Sequence, residues 1–116
     1  MVELKAQNNP MVQRLILVRH GATEWNKERR YQGQVDTPLN KLGRLQAERV
    51  ATQLREAKAH FLVSSDLMRA KDTAAIIGGL LDLPVVPSSL WRERNYGRWE
   101  GLTRAEIQVQ YPEEWQ

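Results

Sequence analysis

The sequence predicts an α/β fold built on a parallel sheet, and three observations predict it. Short apolar, partly β-branched runs alternate with longer segments of helical periodicity, each run ends in turn or capping residues, and the order from Leu15 to Val86 reads β-α-β-α-β. At 116 residues, 41% of them hydrophobic and 27% charged, the chain has the size and composition of one globular domain or part of one.

The elements follow in order. Met1 to Gln13 is a polar leader without the 7–15-residue apolar core of a secretory signal, so residues 14–116 are taken as the folded part. Leu15-Ile16-Leu17-Val18 suits a strand buried on both faces and ending at the Arg19-His20-Gly21 turn. Asn40 is a good N-cap for a helix to about Ala57, with Leu42, Leu45, Val50 and Leu54 as its apolar face. His60 to Val63 reads as the second strand. Ser64, Ser65 and Asp66 then cap a helix whose Ala70, Thr73, Ala74, Ile77 and Leu81 share one face, until Gly78 and Gly79 weaken it and Pro84 closes it. Val85-Val86 makes a third strand and Trp91 to Gly101 an irregular loop. Thr103 and Glu106 form a capping box for a last helix that Pro112 stops.

Composition narrows the function. The net charge of +3 comes from charges that alternate in sign, which suits a small anionic substrate and lacks the clustered basic stripe of a nucleic-acid reader. No cysteine is present, which excludes disulfides, thiolate metal sites and cysteine nucleophiles. With only His20 and His60 as imidazoles, a multi-histidine metal centre is not expected either. No apolar run approaches the roughly 20 residues of a bilayer crossing, so no membrane partner is expected, nor, on the charge pattern, a nucleic acid, and without a signal-like leader a cytoplasmic location is the default expectation.

The densest chemistry follows the first strand, in Arg19-His20-Gly21-Ala22-Thr23-Glu24-Trp25-Asn26. Gly21 allows a sharp turn, so the His20 imidazole can project from the strand end into a crevice. A guanidinium stands beside it. Arg binds two phosphate oxygens at once while a neutral imidazole supplies a nucleophilic lone pair, a fit pair for attack on phosphorus.

Four ordered blocks extend this: Leu17-Val18-Arg19-His20-Gly21-Ala22-Thr23-Glu24-Trp25-Asn26; Gln32-Gly33 with Asp36-Thr37-Pro38-Leu39; Ser64-Ser65-Asp66-Leu67-Met68-Arg69-Ala70 with Thr73-Ala74; and Glu93 with Tyr96-Gly97-Arg98-Trp99-Glu100-Gly101-Leu102-Thr103. From Arg14 to Trp115 the chain resembles the histidine phosphatase superfamily, the phosphoglycerate mutase-like proteins. The resemblance implies a three-layer α/β/α sandwich on a parallel sheet, incomplete at its C-terminus. It implies that His20 is phosphorylated during turnover, with Arg19 and Arg69 clamping the phosphoryl oxygens. Asn26 would be a further phosphate contact, and Thr23, Gln32 and Gly33 weaker candidates lining the pocket. Glu93 would protonate the leaving oxygen and then activate water; Glu100 lies in the same loop, and either carboxylate can instead be a solvated surface group. Neither a metal nor an organic cofactor is implied.

The departure from the family that matters most is that a second histidine, in a His-Gly segment after a later strand beside the first, has no counterpart before Gln116; Asn40 in place of the family's usual threonine is a lesser one, since both cap well. The expectation is therefore an N-terminal portion of a domain of roughly twice this length, with exposed sheet edges and possible self-association. His60 precedes its strand and does not replace the missing group. Glu93-Arg94-Asn95-Tyr96-Gly97 differs from the mutase form with histidine at the third position, which favours a phosphatase of small phosphorylated metabolites over a mutase. A non-catalytic phosphate-binding module is the reading from another class.

Overall fold

The computed structural model describes residues 2–5 and 14–115. Within them the chain runs β1 (Val2–Lys5), β2 (Arg14–Leu17), α1 (Glu24–Lys27), α2 (Lys41–Leu54), β3 (Leu62–Ser65), α3 (Met68–Leu81), β4 (Val85–Ser88) and α4 (Arg104–Gln110). Strands β3 and β4 pair in parallel, Leu62 opposite Val85 and Ser65 opposite Ser88, with α3 as the crossover that parallel pairing requires. The fold is thus α/β, as the alternating order predicts.

Strand β1 lies within the stretch read as a polar leader. It pairs antiparallel with β2, Val2 opposite Leu17 and Glu3 opposite Ile16, and Arg14 Nε donates to Glu3 Oε1 at 2.7 Å. The remainder of that stretch lies outside the described residues. The single sheet expected from the sequence is divided into two two-stranded pairs, β1–β2 and β3–β4. Among the described residues, therefore, β2 and β3 each have only one hydrogen-bonded neighbour.

The core sits between the strands and two packed helices. Ala51 and Leu54 of α2 meet Ile77 of α3, and Ile16, Val18, Val50, Leu62 and Leu81 close around them. Half of the expected face of α2 is buried: Leu54 lies in the core and Val50 packs against it, but Leu42 and Leu45 are exposed and Gly43, Ala47 and Ala51 are buried instead. A stripe of small residues at four-residue spacing lets the backbone come close, and the bulkier leucines turn outward. Strand β2 departs from expectation in the same way. Ile16 and Val18 face the helices, but Leu15 and Leu17 on the opposite face are exposed, so the strand is covered on one side only.

Local signals set most of the termini. Asn40 Oδ1 accepts from the Gly43 amide at 2.8 Å, as an N-cap should, and α2 gives way to a 3-10 turn at Arg55–Ala57 before Lys58 adopts a left-handed conformation. The Thr103–Glu106 capping box is formed, and α4 ends ahead of Pro112. Helix α3 differs from its expected start. Ser64 and Ser65 belong to β3, the N-cap is Leu67, and the first-turn amide of Met68 donates at 2.6 Å to Asp36 Oδ1, a cap delivered from 32 residues away. His60 precedes β3 and is exposed. Helix α3 runs through Gly78 and Gly79 to Leu81, where Asp82 in a left-handed conformation caps it ahead of Pro84, and Gly78 packs against the Leu83 carbonyl where a side chain would collide. Two 3-10 turns, Ser89–Trp91 and Gly97–Trp99, punctuate the loop before α4. Of its tryptophans, Trp99 meets Tyr31 edge to face and Trp115 at a tilt, whereas Trp91 is exposed.

Candidate active site

The turn after β2 is held by side chains from three directions. The Gly21 amide donates to Thr73 Oγ1 of α3 at 3.0 Å, the Ala22 amide to Gln46 Oε1 of α2 at 2.8 Å, and the Thr23 amide to Asn26 Oδ1 of α1 at 3.0 Å. Gly21 also lies against the backbone of Gly43, in space that a Cβ would fill. With its amides committed in this way, the turn is not an amide cradle for phosphate. Anion binding here falls to side chains.

His20 is half-buried, and its Nδ1 lies 2.7 Å from the Gly21 carbonyl oxygen. A carbonyl only accepts, so Nδ1 carries the proton and the lone pair resides on Nε2. Burial holds the imidazole pKa below its ordinary value. The Gly21 carbonyl opposes this, Arg69 and Arg19 reinforce it, and Glu93 opposes it. The ring is therefore neutral at pH 7, the protonation state that a nucleophile needs. A cleft of about 380 Å³ opens here, and its lining includes Arg19, His20, Asn26, Gln46 and Thr73.

Arg69 stands on the first turn of α3 and is almost fully buried. Its Nη1 donates to the Val35 carbonyl at 2.6 Å and to Thr37 Oγ1 at 3.3 Å, and its Nη2 donates to the Gly33 carbonyl. Burial lowers its pKa, while Glu93, Asp36 and Glu100 oppose that shift. Three of its five N–H groups are committed in this way. Nε–H and one Nη2–H make no described hydrogen bond, which leaves two donors for an anion.

Thr23 and Gln32 sit inside the wall of the site. Thr23 Oγ1 donates to Gln32 Oε1 at 2.7 Å, and Thr37 Oγ1 donates to the same oxygen at 2.5 Å. Both residues are buried, so they brace Asn26 and the Arg69 loop and do not line the cleft. Gly33 holds a positive φ of 56° and lends its carbonyl to Arg69. Glu93 is exposed, and its Oε1 accepts from the Arg94 amide at 2.8 Å. Glu100 is engaged elsewhere, its Oε1 accepting from the amides of Gln34 and Tyr96 and so tying two loops together. A bidentate pair, Arg92 with Asp66 at 2.7 Å for each bond, fastens the segment beside Glu93 to the end of β3. Among the described residues, no group of three histidine, aspartate or glutamate side chains stands together to hold a metal ion.

Sequence reasoning gives Gly43, Gln46 and Asp36 no role in the site, and it places Thr73 on a helix face and in the third of the four blocks without a role of its own. Besides its place in that block, the signal for Thr73 is a hydroxyl on a face otherwise made of alanine, isoleucine and leucine.

The turn after β2 thus presents a neutral histidine, with Arg19 and Arg69 near enough to lower its pKa further, beyond the end of a strand in an α/β protein. The sequence model of the histidine phosphatase superfamily (branch 1) matches residues 15–116, and the chain belongs to that superfamily. It is 44% identical over 101 residues to the glucosyl-3-phosphoglycerate phosphatase of Mycolicibacterium vanbaalenii, covering 87% of this chain and 45% of that protein. It is 41% identical over 97 residues to the uncharacterized phosphatase PhoE of Bacillus subtilis, covering 84% and 50%. The solved structure of mycobacterial glucosyl-3-phosphoglycerate phosphatase complexed with VO3 superposes with a TM-score of 0.77 at 44% identity, over 80% of this chain and 44% of that one. The chain spans about half the length of the curated relatives it matches. Among the described residues, no helix is long and apolar enough to cross a membrane.

Proposed function

We propose that this chain belongs to a phosphatase of small phosphorylated metabolites that works through a phosphohistidine at His20. The observation that carries the reading is the His20 ring itself, with Nδ1 turned to the Gly21 carbonyl, the lone pair on Nε2, and Arg69 and Arg19 close enough to depress its pKa. In the first step Nε2 attacks phosphorus and the bond from phosphorus to the ester oxygen breaks. The leaving oxygen takes a proton from Glu93. In the second step Glu93, now a carboxylate, takes a proton from water. The water oxygen attacks phosphorus, the P–N bond breaks, and inorganic phosphate leaves with His20 neutral again. Arg19, Arg69 and Asn26 oppose the charge that spreads over the phosphoryl oxygens, the role fixed cations and donors play at such centres.

A second reading, a phosphate-binding module without turnover, is favoured by one observation: the Glu93 carboxylate is exposed and engaged with the next amide of its own loop. One experiment separates the two. The chain is incubated with a phosphomonoester and quenched, and acid-labile phosphate on protein is measured for the wild type and for His20→Ala. A phosphoenzyme present in the first and absent in the second supports the phosphatase. Phosphate binding by calorimetry without any trappable phosphoenzyme supports the binding module, and an undiminished phosphoenzyme in His20→Ala refutes the assignment of His20.

A further inference from the structure

We infer that Thr73 is a positioning residue of the site: its hydroxyl ties the turn that carries His20 to the helix turn that carries Arg69. The inference rests on the phosphatase reading in one respect only, that His20 and Arg69 act on the same phosphoryl group. The hydroxyl is buried and used in both directions. As an acceptor it takes the Gly21 amide at 3.0 Å, and as a donor it gives its only proton to the Arg69 carbonyl at 2.6 Å. A threonine hydroxyl bonded back to the carbonyl four residues earlier does little for its own helix and tends to bend it. Here that bond aims the oxygen's lone pairs away from the helix, where the Gly21 amide meets them.

The two ends of this link matter more than the link itself. One end is the residue after His20, whose carbonyl sets the imidazole tautomer; the other is the backbone of the arginine beside that imidazole. Thr73 also lines the same cleft as His20. Gln46 holds the next amide, of Ala22, from α2, so the turn is clamped between two helices and the α3 side of the clamp is one oxygen atom. Valine would fill the same volume and break both bonds, leaving a buried amide with no acceptor. Serine would keep both bonds and lose only a methyl group.

The test uses the full chain as wild type, Thr73→Val and Thr73→Ser, with native thermal melts as the check on folding. Two quantities are read by NMR: the titration of the His20 ring and the affinity for inorganic phosphate. The ring responds first to its burial, then to the Gly21 carbonyl and to the charges that face it, Arg69, Arg19 and Glu93. In Thr73→Val the ring pKa is expected to move up toward its ordinary value as the loosened turn lets the ring out of its burial and away from Arg69, and phosphate affinity to fall about tenfold, the scale of one buried hydrogen bond. Thr73→Ser is expected to restore both to within about twofold of wild type. If Thr73→Val does not fold, Thr73→Ala is read in its place. An unchanged ring titration and affinity in the variant without the hydroxyl overturns the inference. So does a Thr73→Ser protein that behaves like Thr73→Val, since the hydroxyl is then not the cause. If the wild type shows no phosphate binding, the phosphatase reading loses its support while the ring titration still decides the role of Thr73.

Discussion

Gly21 and Gly43 meet backbone to backbone: a Cβ on Gly21 would collide with the Gly43 carbonyl oxygen, and a Cβ on Gly43 with the carbonyl oxygen of Ala22. The turn that carries His20 is thereby seated on the first turn of α2, with the Asn40 amide donating to the Ala22 carbonyl at 2.9 Å beside the contact. In an open helix position glycine to alanine stabilises by about 1 kcal/mol. At Gly43 that gain is outweighed by overpacking against rigid backbone, which costs about 1–3 kcal/mol. Gly21→Ala and Gly43→Ala are therefore expected to lower stability in urea melts. Gly79→Ala, with nothing near its Cβ, is the control and is expected to raise it. Equal stability of Gly21→Ala and Gly79→Ala would contradict the close approach.

Arg69 serves the fold before it serves any ligand. The Gly33 carbonyl, the Val35 carbonyl and Thr37 Oγ1 all take its protons, so Arg69→Met would strand buried acceptors and is expected to cost about 3 kcal/mol. Arg69→Lys keeps a charge but not the planar fork. An ammonium directed at those acceptors has little left for an anion, so phosphate affinity is expected to fall at least tenfold. Urea melts together with a phosphate titration read both effects. A lysine variant that matches wild type in stability and affinity would show that the fork is dispensable.

Legibility in the sequence follows the range of the interactions. Asn40 and Thr103 cap helices within three or four residues of themselves, and both caps form as read. His20 stands at the strand end where its glycine turn predicts it. What is not legible depends on partners distant in the chain. Leu42 and Leu45 look like a core face until the small residues Gly43, Ala47 and Ala51 do the packing instead. The cap of α3 comes from Asp36, and nothing local to Met68 announces it. Thr23 and Gln32 have the residue types of pocket donors, but their hydroxyl and amide oxygens are consumed in a buried network whose members are up to 14 residues apart. The bare face of β2 escapes the sequence for a related reason: a run of four apolar residues reports hydrophobicity, not whether a second layer covers it.

The His20 environment fixes a sign for pH dependence. Burial, with Arg69 and Arg19, lowers its pKa in the folded protein below the value of about 6.5 it has when unfolded. The folded state thus resists protonation that the unfolded state accepts. The stability tied to this group is fully present above pH of about 6.5 and is lost as pH falls through the folded value. Melts from pH 8 down to about 4.5 are expected to show a decline that His20→Asn flattens, with the exposed His60 left in place in both proteins. An identical decline in the variant would assign the acid sensitivity to other groups.

One face of the strands is uncovered, and association should follow from it. Leu15, Leu17, Val63 and Val86 all turn away from α2 and α3 and are 45–54% exposed, while Phe61 and Leu90 nearby are exposed more fully still. Beside them, β2 is paired only with β1, and β3 only with β4, so among the described residues apolar surface and strand edges with unpaired backbone groups lie together. Exposed apolar side chains beside open strand edges are a feature that monomers avoid. The chain is accordingly expected to sediment with a mass that rises with concentration across about 10–100 μM, the range in which such surfaces associate. Leu17→Lys, a change on a half-exposed side chain, should shift the population toward monomer with little loss in melting temperature, because it removes no packed contact of the core. A single monomeric mass at every concentration, with a cooperative melt, would show that this face stays solvated despite its composition.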